Sequence, residues 1–191
     1  TAADSVVQGV TLLSDVTATN DLKPADISHC DGVTAGEAYG PGETRDIELL
    51  LDETQDPYMG PIDYEIAAWI TDRVPYTQNL EPCRCIAFRE RGGPILYGGA
   101  FNEFRGRDVQ YHAACDDPSV LTRERVRLLF RYPFEQLGVE RISCVIASSN
   151  KRSRRVVEGL GWAQEGTIRG FYADDEDGAL YGILKSECRW I

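Results

Sequence analysis

The chain has 191 residues with 31 acidic and 20 basic side chains, a net charge of −11 and 42% hydrophobic residues. That length and composition suit one domain with a buried core, and so acidic a surface argues against a protein whose main task is to grip nucleic-acid phosphates. No stretch is long and apolar enough to span a bilayer, and no basic-then-apolar leader is present, so a cytoplasmic or virion location is expected.

Residues 1–44 come first as an extended acidic arm. They are poor in bulky apolar residues after Val10–Leu13 and rich in Gly, Asp, Thr and Pro. Such a segment cannot offset its backbone entropy with a core of its own. It is expected to dock on another protein chain, a virion subunit or a second copy, through Val6, Val7, Val10, Leu12 and Leu13. The alternative is that it wraps its own domain and covers the basic helices.

From Arg45 to Ile191 the pattern becomes regular. Residues 46–53 read as a strand, and 61–74 place Ile62, Ile66, Trp69, Ile70 and Val74 on one helical face behind Pro61. Strands follow at 83–91, at 95–104 with a bulge expected at Gly98–Gly99, and at 108–115. Val126, Leu129, Phe130, Pro133, Phe134 and Leu137 then fall at helical spacing, with a kink expected at Pro133 and an end at Gly138. Residues 141–148 are a nearly continuous apolar run, the mark of a central strand covered on both faces. A short helix, capped by Ser149 or Asn150 and closed by Gly161, carries Lys151, Arg152, Arg154 and Arg155. Two strands close the chain, at 165–173 and 179–190. The fold class is therefore α/β of the α+β kind: a mixed sheet of about seven strands with helices on both faces, plus the arm.

Charge is unevenly spread along this order. Residues 1–65 hold 14 acids and 2 bases, whereas residues 122–155 hold 3 acids and 9 bases. A basic segment so local suits a small anionic ligand better than a duplex. The bland alternative is an exposed helix face neutralised by the arm. Cys30, Cys83, Cys85, Cys115, Cys144 and Cys188 are expected as buried free thiols, because a chain this long needs no disulfide framework. Cys83 and Cys85 share a strand face, but no second pair or nearby His completes a metal site, and no metal is expected.

The element order and one run carry a family resemblance. Asn150, Ser153, Leu160, Gly161, Trp162, Glu165, Gly166 and Arg169 match a strand-Asn-x-x-Ser-helix-Leu-Gly-aromatic-x-x-Glu-Gly-x-x-Arg pattern. In this the chain resembles the GCN5-related N-acetyltransferases, most closely the branch that acetylates ribosomal-protein N-termini. The stretches 132–138 and 181–190 look like acetyltransferase-like proteins of tailed phages. The resemblance covers residues 45–191 and leaves the arm aside.

What it implies is specific. The strands at 108–115 and 141–148 should run parallel and splay apart, with the pantetheine of acetyl-CoA in the gap. Asn150 would hydrogen-bond that arm, and Ser153 is small enough to let it pass. Ser119, Thr122, Arg123, Arg125 and Arg152, with Arg154 and Arg155, stand where the phosphates would lie. Glu103 is the candidate general base. His112 and Cys115 read instead as a core histidine and a buried thiol. Two departures stand out. The family's glycine-rich phosphate turn is replaced by residues 115–125, which contain no glycine, and Asp117 before Pro118 reads as a cap that fills the N–H groups itself. Val157 stands where many members carry a tyrosine acid. Three readings follow: an acetyltransferase acting on an amine, a degenerate domain serving as a structural component of a phage virion through its arm, and a DNA-modifying acyltransferase, which the charge disfavours.

Overall fold

The computed structural model of the chain describes residues 45–52, 59–74, 80–172 and 175–191. The expectations for the arm at 1–44 lie outside the described residues. The elements are β1 (Ile47–Leu51), α1 (Pro61–Thr71), β2 (Arg84–Glu90), β3 (Ile95–Asn102), β4 (Asp108–Cys115), α2 (Arg123–Arg131), β5 (Arg141–Ala147), α3 (Lys151–Leu160), β6 (Ala163–Ile168) and β7 (Gly178–Leu184). The strands form one seven-stranded sheet in the order β1-β2-β3-β4-β5-β7-β6.

Strand alternation sorts the core onto the two faces of this sheet. Cys85, Ala87, Ala100 and Ala114 meet Ile66, Ala67 and Ile70 of α1 on one side. Ile86, Phe88, Tyr97, Phe101, Val109, Ile142 and Cys144 meet Val126, Leu129 and Phe130 of α2 on the other. The small residues under α1 explain its close seat. A Cβ on Gly98 would stand 3.2 Å from both Ile66 and the Trp69 ring.

Four expectations change in detail. Gly98 and Gly99 pair in regular register with β2 and β4, and the register shift lies at the start of β3, where Phe88 and Arg89 of β2 face Tyr97 and Ile95 and Leu96 is the extra residue. The two glycines serve close approach, one to α1 and one to a tyrosine described below. Pro133 sits where α2 gives way to a π-helical turn. Lacking an N–H, it widens the helix into a π turn over Tyr132–Gln136, where Leu137 N–H donates to the Tyr132 carbonyl at 3.1 Å, and Gly138 ends it at φ +70°. The last two strands are shorter than expected, and Lys185–Glu187 turn as a 3₁₀ segment. β5 is central, but its Ser143, Val145 and Ala147 are only half-buried, because α1 packs on β1 to β4 and stops short of it.

A buried carboxylate fixes the start of the sheet. Asp63 is 0% exposed, and it accepts from the N–H groups of Gly60 (3.2 Å) and Cys85 (2.8 Å) and faces Arg84 at 3.4 Å. Burial nevertheless raises its pKa above the usual carboxylate value, against the pull of those bonds and of Arg84.

Candidate active site

The site follows from how β4 and β5 pair. They run parallel, with only three rungs: Asp108 with Arg141, Val109 with Ile142 and Gln110 with Ser143. Beyond Gln110 and Ser143 the ladder stops while both strands continue, β4 to Cys115 and β5 to Ala147. The strands therefore splay, as expected, with the vertex at Tyr111 and Cys144. From there to Cys115 the gap runs about 13 Å along β4. A slot through a sheet exposes ligand to both faces at once. The resulting cleft has a volume of about 1830 Å³ and is lined by residues of both faces, among them Tyr111, His112, Cys144, Ser153 and Trp162.

The wide end is cationic and lies between two helix N-termini. Thr122 caps α2, its Oγ1 accepting from Arg125 N–H at 3.3 Å, and Asn150 caps α3, its Oδ1 accepting from Ser153 N–H at 3.0 Å. Arg123, Arg127, Arg152 and Arg155 line this end. The basic run does not act as one patch, however. Arg154 turns into the fold, donating to Tyr181 Oη (3.0 Å), the Ser148 carbonyl (3.1 Å) and Gln164 Oε1 (3.2 Å). Tyr181 in turn donates to Glu158 at 2.6 Å, which clamps α3 to β7. None of the α3 residues is fully buried; besides this clamp the helix is held by Val157 and Leu160 against the core and by the Trp190 indole on the Leu160 carbonyl.

The remaining expected positions divide. Ser153 and Asn150 stand on the cleft wall, while Arg125 turns inward, 6% exposed, donating to the Val120 carbonyl at 2.9 Å. Ser119 lies off the wall, with its N–H and hydroxyl both donating to Asp117 at 2.9 and 2.6 Å. Asp117 is thus the self-cap that its place before Pro118 suggested. Burial pushes its pKa up, but the bonds from Ser119 and Arg45 outweigh that and hold the carboxyl below the usual range. The negative charge of this loop is also countered locally, Asp117 by Arg45 at 2.5 Å and Asp116 by Arg73 at 3.0 Å. Glu103 is exposed at φ +51° and pairs with Arg105 at 3.1 Å.

His112 is the titratable group the cleft does bring in. Its Nε2 lies 3.1 Å from Asn102 Oδ1, and Asn102 Nδ2 donates to the Leu80 carbonyl at 3.4 Å. That second bond orients the amide so that its oxygen faces the ring. Nε2 must then carry the proton, leaving the lone pair on Nδ1. Burial lowers the His112 pKa, with Glu103 opposing, so the ring is neutral at neutral pH. The sequence placed His112 on the strand beside the expected gap but read it as a core histidine, because a lone histidine on a strand is more often a satisfied core residue than a base; in the structure it is only half-buried. Cys115 is exposed rather than the buried thiol expected, whereas Cys83, Cys85, Cys144 and Cys188 are buried. Desolvation by the cleft wall and then Asp117 raise Cys115 to about 12, and burial raises Cys144 to about 12, so neither is a thiolate nucleophile.

No protein-family model matches the chain. A chimera of the Vibrio cholerae spermidine N-acetyltransferase SpeG with hSSAT superposes with a TM-score of 0.55 at 13% identity, over 73% of this chain and 96% of that one. The fold is that of the GCN5-related N-acetyltransferases. The Bacillus subtilis (strain 168) protein YdaF, described provisionally as a ribosomal N-acetyltransferase, is 34% identical over 88 residues. These make up 44% of this chain and 42% of that protein, so the chain spans under half the length of the curated relative it matches. The ribosomal-protein-S5-alanine acetyltransferase of Vibrio fischeri matches at a TM-score of 0.47 and 16% identity, over 57% of this chain and 64% of that chain. Among the described residues no group of metal-ligating side chains forms, and no helix is long and apolar enough to cross a membrane.

The residues present fit CoA in part. Cations flank the wide end, the Asn150 Nδ2 donors remain beside the gap after Oδ1 has capped α3, and the walls toward the vertex are apolar. What does not fit is the loop before α2, where Asp117 takes the Ser119 N–H that a phosphate oxygen would otherwise accept.

Proposed function

We propose that the chain is an acyl-CoA-dependent N-acyltransferase that moves acetyl from acetyl-CoA to an amine. The early parting of β4 and β5 carries this reading, because it opens a slot with cations at the wide end and a neutral imidazole at the vertex. Arg123 and Arg152 meet the phosphates, Asn150 holds the pantetheine, and Ser153 leaves it room. The amine nitrogen bonds to the thioester carbon as the C–S bond breaks, and its proton passes to His112 Nδ1 and on to the departing thiolate. Val157, on the cleft wall, has no proton to give, so the same proton serves both ends. The charge of −11 favours a cationic acceptor, a polyamine or the N-terminus of a basic protein. Thiol release from acetyl-CoA tests this with spermidine, a basic peptide and an acidic peptide. Release with the cationic amines, lost in His112→Gln, supports the reading, and no release with any amine rejects it.

Asp117 favours a second reading, in which the domain has given up catalysis and serves as a docking component of a phage particle through its acidic arm. The likeness of residues 132–138 and 181–190 to tailed-phage proteins supports that context. Deleting residues 2–40 would then abolish assembly with the partner chain and leave the domain folded.

A further inference from the structure

We infer that the indole N–H of Trp162 holds the carbonyl oxygen of the donor's thioester, an inference that rests on reading the cleft as an acyl-CoA site. Trp162 is 6% exposed and lines the cleft, yet its Nε1–H meets no acceptor among the described residues. Buried N–H groups without acceptors are rare in folded proteins, because each gives up its bond to water for nothing. Phenylalanine would fill the same core at no polar cost. The neighbouring Trp190 shows the ordinary solution, donating from Nε1 to the Leu160 carbonyl at 2.8 Å.

Its place in the splay says which acceptor the indole meets. The Trp162 ring stacks on Tyr111 with centroids 6.3 Å apart, and Tyr111 is the first residue of β4 past the last rung with β5. Trp162 therefore stands at the vertex, while the cations stand at the wide end about 13 Å along the strand. A ligand with its phosphates among those cations brings its acyl end to the vertex, and the acceptor there is the thioester oxygen. His112 stands on the opposite face of β4, so the thioester is held from one side of the sheet and approached by base from the other. A donor fixed before the oxygen gains negative charge needs no reorganisation as the amine attacks.

The experiment compares acetyl-CoA with S-ethyl-CoA, a thioether that has a methylene in place of the carbonyl. The full chain labelled with ¹⁵N has three indole signals, from Trp69, Trp162 and Trp190, which Trp69→Phe and Trp190→Phe assign by elimination. Saturation with acetyl-CoA is expected to move the Trp162 indole proton downfield, and saturation with the thioether to leave it in place. Calorimetry with Trp162→Phe is expected to show about 5–10-fold weaker binding of acetyl-CoA, the order of one hydrogen bond, and unchanged binding of the thioether. Equal indole shifts with both ligands would overturn the inference, since the N–H would then serve the pantetheine or only sense packing. So would an equal loss of both affinities in the variant. Should Trp162→Phe fail to fold, the indole shifts of the wild-type chain decide alone. If neither ligand binds the wild type, the acyl-CoA reading falls and this inference with it; binding of both without discrimination removes the inference alone.

Discussion

Gly99→Ala tests the architecture of the vertex. Gly99 lies in regular β3, so alanine meets no backbone obstacle. The obstacle is Tyr111, which lies down across the strand so that a Cβ on Gly99 would stand 2.4 Å from its hydroxyl and 2.8 Å from its ring. Retreat of that ring is blocked on two sides, by Phe101 at 4.8 Å and by Trp162 at 6.3 Å, centroid to centroid. Forcing it aside costs roughly 1–3 kcal/mol as overpacking, and breaking its hydroxyl bond to Tyr97 adds about 1 kcal/mol. The entropy that alanine removes from the unfolded chain returns only about 0.4–1 kcal/mol. A net loss of roughly 1–3.6 kcal/mol follows, or a melting temperature lower by about 2–14 °C for a domain of this size. Urea denaturation followed by tryptophan fluorescence measures it, and the midpoint is expected to fall with the slope unchanged. In a Tyr111→Ala background the same substitution should cost under about 1 kcal/mol, because its obstacle is gone. A Gly99→Ala protein within about 0.5 kcal/mol of wild type would refute the packing argument.

Other consequences are open to direct measurement. Burial depresses the His112 pKa, so the unfolded chain binds its proton at higher pH than the folded one does. The associated stability is complete above about pH 6.5 and is lost as pH falls from there through the folded value; His112→Gln should flatten that part of a melting-versus-pH curve. Asp63→Ala strands the Gly60 and Cys85 N–H groups, while Arg84 keeps its bond to the Asp52 carbonyl, and should cost about 2–3 kcal/mol in chemical denaturation. Arg152→Glu, at an exposed position on the cleft rim, should weaken acetyl-CoA binding in low salt and lose most of that effect near 1 M salt.

Periodicity made the fold legible, because strand alternation and helical spacing record which side of an element meets the core. The continuous apolar run at 141–147 and the helix before it were enough to place β5 parallel to β4. What stayed hidden are contacts between residues far apart in the chain. Arg154 and Arg152 sit in one basic run, yet the Tyr181 hydroxyl on β7 draws one inward and leaves the other on the rim. Arg125 read as a phosphate ligand because Val120, whose carbonyl it meets, is a partner only once the loop has folded. Asp117 was legible because its partner Ser119 is two residues away. Gly99 suggested a bulge, and its true reason, Tyr111 of the next strand, depends on the registry of β3 with β4. His112 carries no local signal, and Trp162 shows only as the aromatic of the run that closes α3. Their significance comes from the slot, which exists only after two strands part.

That slot is the account's central claim, and a calorimetric titration of acetyl-CoA tests it most directly when paired with a variant that fills the gap. Ser153 lines the cleft on the first turn of α3 and is half-buried, so Ser153→Trp projects an indole into the gap. The wild-type chain should bind acetyl-CoA, and Ser153→Trp should bind at least about 10-fold more weakly, a loss of about 1.4 kcal/mol, with its melting temperature unchanged. No binding by the wild type, or equal binding by a folded Ser153→Trp protein, would contradict the placement of the ligand between β4 and β5.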